Sequence, residues 1–331
     1  MQPIPFELTQ TQALFVKRHL PLFDTVSYTV TVAGKAGSAR IFVRIKHNDI
    51  PHASFVLVVW DGRDPDWDRY VAIPRELSSY TNLLPKIVIE DKSLGLLLVE
   101  DLGSEILLTT SEKSTSVMQR AYEAVMLSLV TWQSIPPHSA PSIAARTMDY
   151  DVFKWESDYF TLHCVEEYFH LKHSLTSQYY DECTALARRT ASFPVVPMHR
   201  DFQSENILLY NGEVRFVDYQ GARLGPALYD VASLVFDPYN EHLDDTMVNH
   251  LLQFYYKAQG VSKSPSAEFT YCSIQRLLQA LGAYCNLSIN KKKPHYEQFI
   301  PRALQRLKNQ LDSTPDFKAI SKVVGNCLAR M

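Results

Sequence analysis

The hydrophobic pattern of the chain changes period at Asp101-Leu102-Gly103, and this change most restricts what it can fold into. Ahead of it the texture is that of strands. Val30 and Val32, then Ile41, Val43 and Ile45 alternating with Phe42, Arg44 and Lys46, then the apolar run Phe55 to Trp60, are separated by Gly34 and Gly37 and by His47-Asn48-Asp49 with Pro51. A helical stretch near Arg69 to Leu84 and two more strands, Ile87 to Glu90 and Leu96 to Glu100, complete this part. Thr9 with Gln12 predicts a capped helix that covers it. Behind the change, Val117, Ala121, Val125, Leu129 and Trp132 recur at helical spacing, and helices are predicted over 150–173, 179–190 and from Tyr229 onward. A strand-like island interrupts them at Val195 to His199, Ile207 to Tyr210 and Val214 to Val217, with Asn211-Gly212 as a hairpin turn. The expected fold is therefore α+β, with a β-rich lobe over 1–100 and a mainly helical lobe over 101–331.

Charge and cysteine usage remove several classes of function. Lys and Arg number 33 against 36 Asp and Glu, a net charge of −3 that gives a nucleic-acid backbone no basic footprint. The longest apolar runs fall far short of the ~20 residues needed to cross a bilayer, and the N-terminus has no basic stretch leading into an apolar core. The five cysteines form no CxxC pair, which fits buried thiols in a reducing cytoplasm. A cytoplasmic monomer without nucleic-acid or membrane partners is expected.

The chemistry concentrates in Met198-His199-Arg200-Asp201-Phe202-Gln203-Ser204-Glu205-Asn206 and, beyond the hairpin turn, Phe216-Val217-Asp218-Tyr219-Gln220. Asp201 and Asn206 have the H-R-D-x-x-x-x-N spacing of a phosphoryl-transfer loop, and Asp218 ends the next strand. In that chemistry Asp201 accepts the proton of an attacking hydroxyl. Asn206 and Asp218 supply hard oxygens to Mg²⁺ on the phosphates of ATP. A turn aspartate beside a hairpin would also explain Asp218 alone, but not three matched positions behind a strand-rich lobe.

On these residues the chain resembles the aminoglycoside phosphotransferase-like kinases, a family with a protein-kinase-like two-lobed fold that phosphorylates small molecules. The resemblance extends over Gly34 to Arg44, Phe55 to Trp60, Leu97 to Gly103, HRDFQSEN, VDYQGARLGP and Tyr229 to Leu234. HRDFQS-N, VDYQ-A-R-GP, YD-ASL and DPY, with Arg276 to Gly282 and Lys293 to Arg302, look similar to bacterial kinases of the anomeric hydroxyl of N-acetylmuramate and N-acetylglucosamine in cell-wall recycling. The resemblance implies adenine contact along Glu100 to Leu102, and as partners a nucleotide and a sugar or amino sugar. It places Glu156, Asp158 and Gln203 toward the acceptor and His199, Arg200 and Asp230 as support. The rival expectations are an aminoglycoside or choline-type kinase, and a pseudokinase that only binds.

Two departures stand out. The glycine-rich loop keeps only Gly34 and Gly37, and Phe55 to Trp60 has no lysine where kinases place the partner of the α- and β-phosphates. Arg44, or Arg40, on the preceding strand is the expected replacement, since a guanidinium grips phosphate bidentately. His163, Glu166, Glu167, His170 and His173 share a predicted helix and are read as its polar face, not as a zinc site.

Overall fold

The structure is a computed structural model that describes residues 4–20, 28–34, 40–50, 53–261 and 267–331; Gly37 and the Pro51 turn lie outside these. It divides into two compact units, residues 1–106 with 207–221, and residues 107–206 with 222–331.

In the first unit, strands β1 (Tyr28–Gly34), β2 (Ile41–His47), β3 (Ser54–Val59), β4 (Ile87–Asp91) and β5 (Leu96–Glu100) form an antiparallel sheet in the order β1-β2-β3-β5-β4. The alternation seen in the sequence sets its face: Val43, Ile45, Leu57 and Leu98 are buried together with Phe15 and Val16 of helix α1 (Gln10–His19). The capping box forms as expected, Thr9 Oγ1 accepting from Gln12 N at 3.3 Å and Gln12 Oε1 from Thr9 N at 3.0 Å. Helix α2 (Trp67–Leu77) stops short of the predicted Leu84, because the segment behind Pro74 turns at Leu77, where its carbonyl accepts the N–H groups of Tyr80 and Thr81.

The second unit contains helices α3 (Thr115–Gln133), α4 (Pro141–Ala144), α5 (Tyr150–Phe160) and α6 (Ser177–Ala191), and then strand β6 (Val195–Met198). The chain next forms the hairpin β7 (Ile207–Tyr210) and β8 (Glu213–Phe216), and returns through β9 (Arg223–Pro226) to α7 (Ala227–Val235), α8 (Asp245–Ala258), α9 (Ala267–Ile289), α10 (Ile300–Asp312) and α11 (Lys318–Leu328). Helix α9 is the packing axis, set against α5, α7 and α10. All five cysteines are free and buried. Among the described residues no helix is long and apolar enough to cross a membrane.

Three features differ from the expectation. A cut at residue 100 misplaces the hairpin, which belongs to the first unit: Phe216 N donates to Leu83 O at 2.7 Å, and Leu209 N to Glu105 O at 2.8 Å. The helix predicted over 150–173 is α5 continued by a π-helical segment, Thr161–Tyr168, and ends at His170 in a left-handed conformation (φ 55°). Strand β9 has the sequence of a turn, and it becomes a strand only by pairing with β6 in the register Val195↔Pro226 to Met198↔Arg223.

Gly225 makes that pairing possible. A Cβ there would overlap the Met198 sulfur and stand 3.0 Å from Met148 Cγ. Gly225→Ala is expected to destabilise the protein by about 1–3 kcal/mol, the usual cost of overpacking, read as a lower urea midpoint at unchanged slope.

Candidate active site

The second unit contributes the loop between β6 and β7. His199 is fully buried, its ring 6.2 Å from Trp132 and 5.7 Å from Phe202, so its place is in the core beneath the loop. Arg200 adopts φ 77°, a left-handed conformation that costs a non-glycine residue energy and needs outside support. Asp230 on α7 gives that support. Its carboxylate accepts from His199 N at 2.6 Å and from Arg200 N at 2.9 Å.

A second carboxylate, Asp237, holds the far end of the loop. It stands just beyond α7, seven positions after Asp230, is fully buried, and accepts from Ser204 N at 2.6 Å and Tyr239 N at 2.9 Å. Between the clamps, Asn206 Nδ2 donates to Asp201 O at 2.8 Å, and Gln203 N donates to the same carbonyl at 3.0 Å. With its amide nitrogen so committed, Asn206 presents Oδ1 as a hard oxygen. The Asp201 side chain keeps 36% of its surface exposed, with Arg200 Nη1 at 3.5 Å. A carboxylate this open can receive a proton from an incoming hydroxyl.

Glu156 requires a correction. It is wholly buried under α7, with Oε1 accepting from Tyr229 OH at 2.7 Å, and burial raises its pKa to about 7. It is not a surface acid. Asp158, two positions on, is half exposed and paired with Lys154. Gln203 lies within the clamped loop, and Arg276 of α9 donates from Nε to Ser233 Oγ on α7 at 3.0 Å.

The first unit contributes Asp218, in a left-handed conformation (φ 61°) directly after β8. Its neighbours are fixed to α2: Tyr219 stacks on Tyr70 at 4.9 Å and donates to Tyr70 O at 3.0 Å, while Arg69 Nε donates to Gln220 O at 2.9 Å. Asp218 Oδ1 accepts from Arg40 Nη2 at 2.8 Å and from Gln220 Nε2 at 2.9 Å. No hydrogen bond is made by Oδ2 among the described residues. Both Asn206 and Asp218 therefore present an oxygen of the type Mg²⁺ takes.

Arg44 requires the second correction. Asp101 is a nearly buried carboxylate that needs a counter-charge, and Arg44 supplies it through Nε at 2.7 Å and Nη2 at 3.0 Å, with Nη2 also donating to Gly103 O at 2.6 Å. Its Nε and Nη2 are committed within the chain. Arg44 is thus a clamp on the segment behind β5, where Gly103 (φ 74°) turns back to give its N–H to Asp101 Oδ1 at 3.0 Å. Glu100 is likewise held by Arg215 at 2.7 Å. Gly34 ends β1 with open space where a Cβ would stand. Asp237 was not singled out from the sequence, although its helical spacing from Asp230 and the DPY sequence around it are the signals that could have found it.

The chain as a whole is similar to proteins already known. Residues 48–263, more than half of the chain, match the family described as Phosphotransferase enzyme family. A protein of Pseudomonas aeruginosa named N-acetylmuramate/N-acetylglucosamine kinase is 24% identical over 280 residues, 82% of this chain and 81% of that one. A spectinomycin phosphotransferase solved with ADP and spectinomycin aligns over 98% of both chains with a TM-score of 0.65 at 14% identity. A choline/ethanolamine kinase family protein from Mesorhizobium loti covers 97% of this chain and all of its own, at 12% identity and a TM-score of 0.62. The fold is accordingly protein-kinase-like.

Two outcomes follow from the buried carboxylates. Because the folded pKa of Glu156 lies above its ordinary 4.5, the folded protein holds a proton that the unfolded chain releases, so stability from this group falls as pH rises from about 4.5 to about 7. Glu156→Gln should remove that part of the slope: its melting temperature gains on wild type across this span, and the gap stays constant at higher pH. Asp237→Asn should speed amide exchange at Ser204 about tenfold or more, the loss of one charge-assisted hydrogen bond, while exchange in β1 to β5 stays unchanged.

Proposed function

Because the chain belongs to the phosphotransferase enzyme family, we propose that it is an ATP- and Mg²⁺-dependent cytoplasmic kinase of a small sugar, with N-acetylmuramate and N-acetylglucosamine as acceptors. The observation that carries the kinase reading is the clamped loop. It holds an open Asp201 carboxylate and ties Asn206 Nδ2 to the Asp201 carbonyl, and a pure binding module has no use for that arrangement. The acceptor class is supported by the name of the Pseudomonas aeruginosa relative. It is supported also by Glu156 and Asp158 of α5, since the first is buried and the second paired with Lys154, so neither is open to a cationic acceptor.

In the proposed reaction the acceptor oxygen bonds to the γ-phosphorus, the bond to the bridging oxygen of ADP breaks, and the hydroxyl proton passes to Asp201 and on to solvent. Asn206 and Asp218 would each offer an oxygen to Mg²⁺, which when bound would neutralise phosphate charge. Asp230 and Asp237 keep the loop in the conformation that aims Asp201, with no reorganisation needed at the moment of transfer. The backbone of Glu100 to Leu102 takes the adenine.

The test is purified protein with Mg-ATP and N-acetylmuramate, N-acetylglucosamine, other hexoses, aminoglycosides and choline, with products read by mass spectrometry. A sugar phosphate formed by wild type and reduced about 10²- to 10⁴-fold by Asp201→Asn is the expected result. Phosphorylated aminoglycoside or choline in place of sugar would move the acceptor to that class. No product, together with no nucleotide binding, would leave a binding module.

A further inference from the structure

Strand β3, Ser-Phe-Val-Leu-Val-Val, carries no lysine, so a kinase built on this sheet must find its phosphate cation elsewhere. Of the two arginines that flank the missing position, Arg44 commits Nε and Nη2 to Asp101 and Gly103. Arg40 is placed differently. Its side chain is 9% exposed and lies just ahead of β2, with the guanidinium carbon 5.0 Å from the centre of the Trp60 ring and 5.9 Å from that of Phe42. One edge of the fork, Nη2, meets Asp218 Oδ1 at 2.8 Å, and that carboxylate remains 39% exposed.

From this geometry we propose that Arg40 is the residue that binds the nucleotide phosphates, replacing the strand lysine from a neighbouring strand; the assignment rests on the kinase reading above. The guanidinium is held by two aromatic faces as well as by Asp218, so its position does not depend on the carboxylate alone. Without nucleotide, Arg40 and Asp218 neutralise one another. When Asp218 turns to a divalent cation, the guanidinium loses that partner. The anion brought in on the same cation is then within its reach, and a planar fork can take two phosphate oxygens at once. The cation and the metal-binding oxygen are thus stored as a pair, which avoids leaving either charge unpaired in a partly buried site.

Calorimetric titration with Mg-ATP and with adenosine separates a phosphate contact from a general effect on the site. For Arg40→Met, Mg-ATP affinity should fall at least tenfold while adenosine affinity stays within twofold of wild type. Arg40→Lys keeps the charge but not the fork, and should lose severalfold in Mg-ATP affinity with adenosine again unchanged. It carries the test if the methionine variant fails to fold. Wild-type Mg-ATP affinity in either variant, or an equal loss for both ligands, overturns the assignment. Wild-type protein that binds neither ligand overturns the kinase reading itself, and this assignment with it.

Discussion

The second unit is organised around two fully buried carboxylates, Asp230 at 0% and Asp237 at 0% exposure, that hold backbone amides of the loop from His199 to Asn206. A loop without regular structure has orphaned N–H groups, and a buried carboxylate needs donors; each solves the other's problem. Burial pulls strongly against this and holds the Asp230 pKa up at about 7, even though the two backbone donors pull it down. The left-handed Arg200 is tolerated because its own amide and that of His199 are pinned.

Three of the first unit's ion pairs set a largely buried guanidinium on a carboxylate. Arg44 closes Asp101, whose side chain is 7% exposed, and Arg215 holds Glu100, at 26%. Both pairs fix the segment that leaves β5. Arg40 meets Asp218, and of these three carboxylates it is the most open, at 39% exposure. The same pairing is structural where it is sealed and available for chemistry where it is open.

Much of the candidate site was legible because it is local in sequence. Asp201, Asn206 and Asp218 are tied to one loop and one hairpin, so their spacing alone identified them. The residues misread were those whose role depends on what lies opposite. Glu156 and Asp158 are two apart on one helix, yet one faces Tyr229 and the other solvent. Arg40 and Arg44 stand four apart at strand β2, and nothing in their spacing says which finds Asp101 and which Asp218. Asp237 passed unnoticed because the amide it holds is 33 positions earlier in the chain.

The sequence by itself determined the strand and helix texture, the order of the sheet-forming segments and the identity of the loop that carries Asp201. These follow from periodicity and short-range turn chemistry, which act over a few residues. Only the tertiary structure decided which unit takes the β7–β8 hairpin, that Arg223 to Pro226 is a strand, and how each charge is partnered. Those outcomes depend on burial and on distances between segments far apart in the chain, and a buried charge takes its meaning from the group it faces, which one-dimensional spacing does not specify.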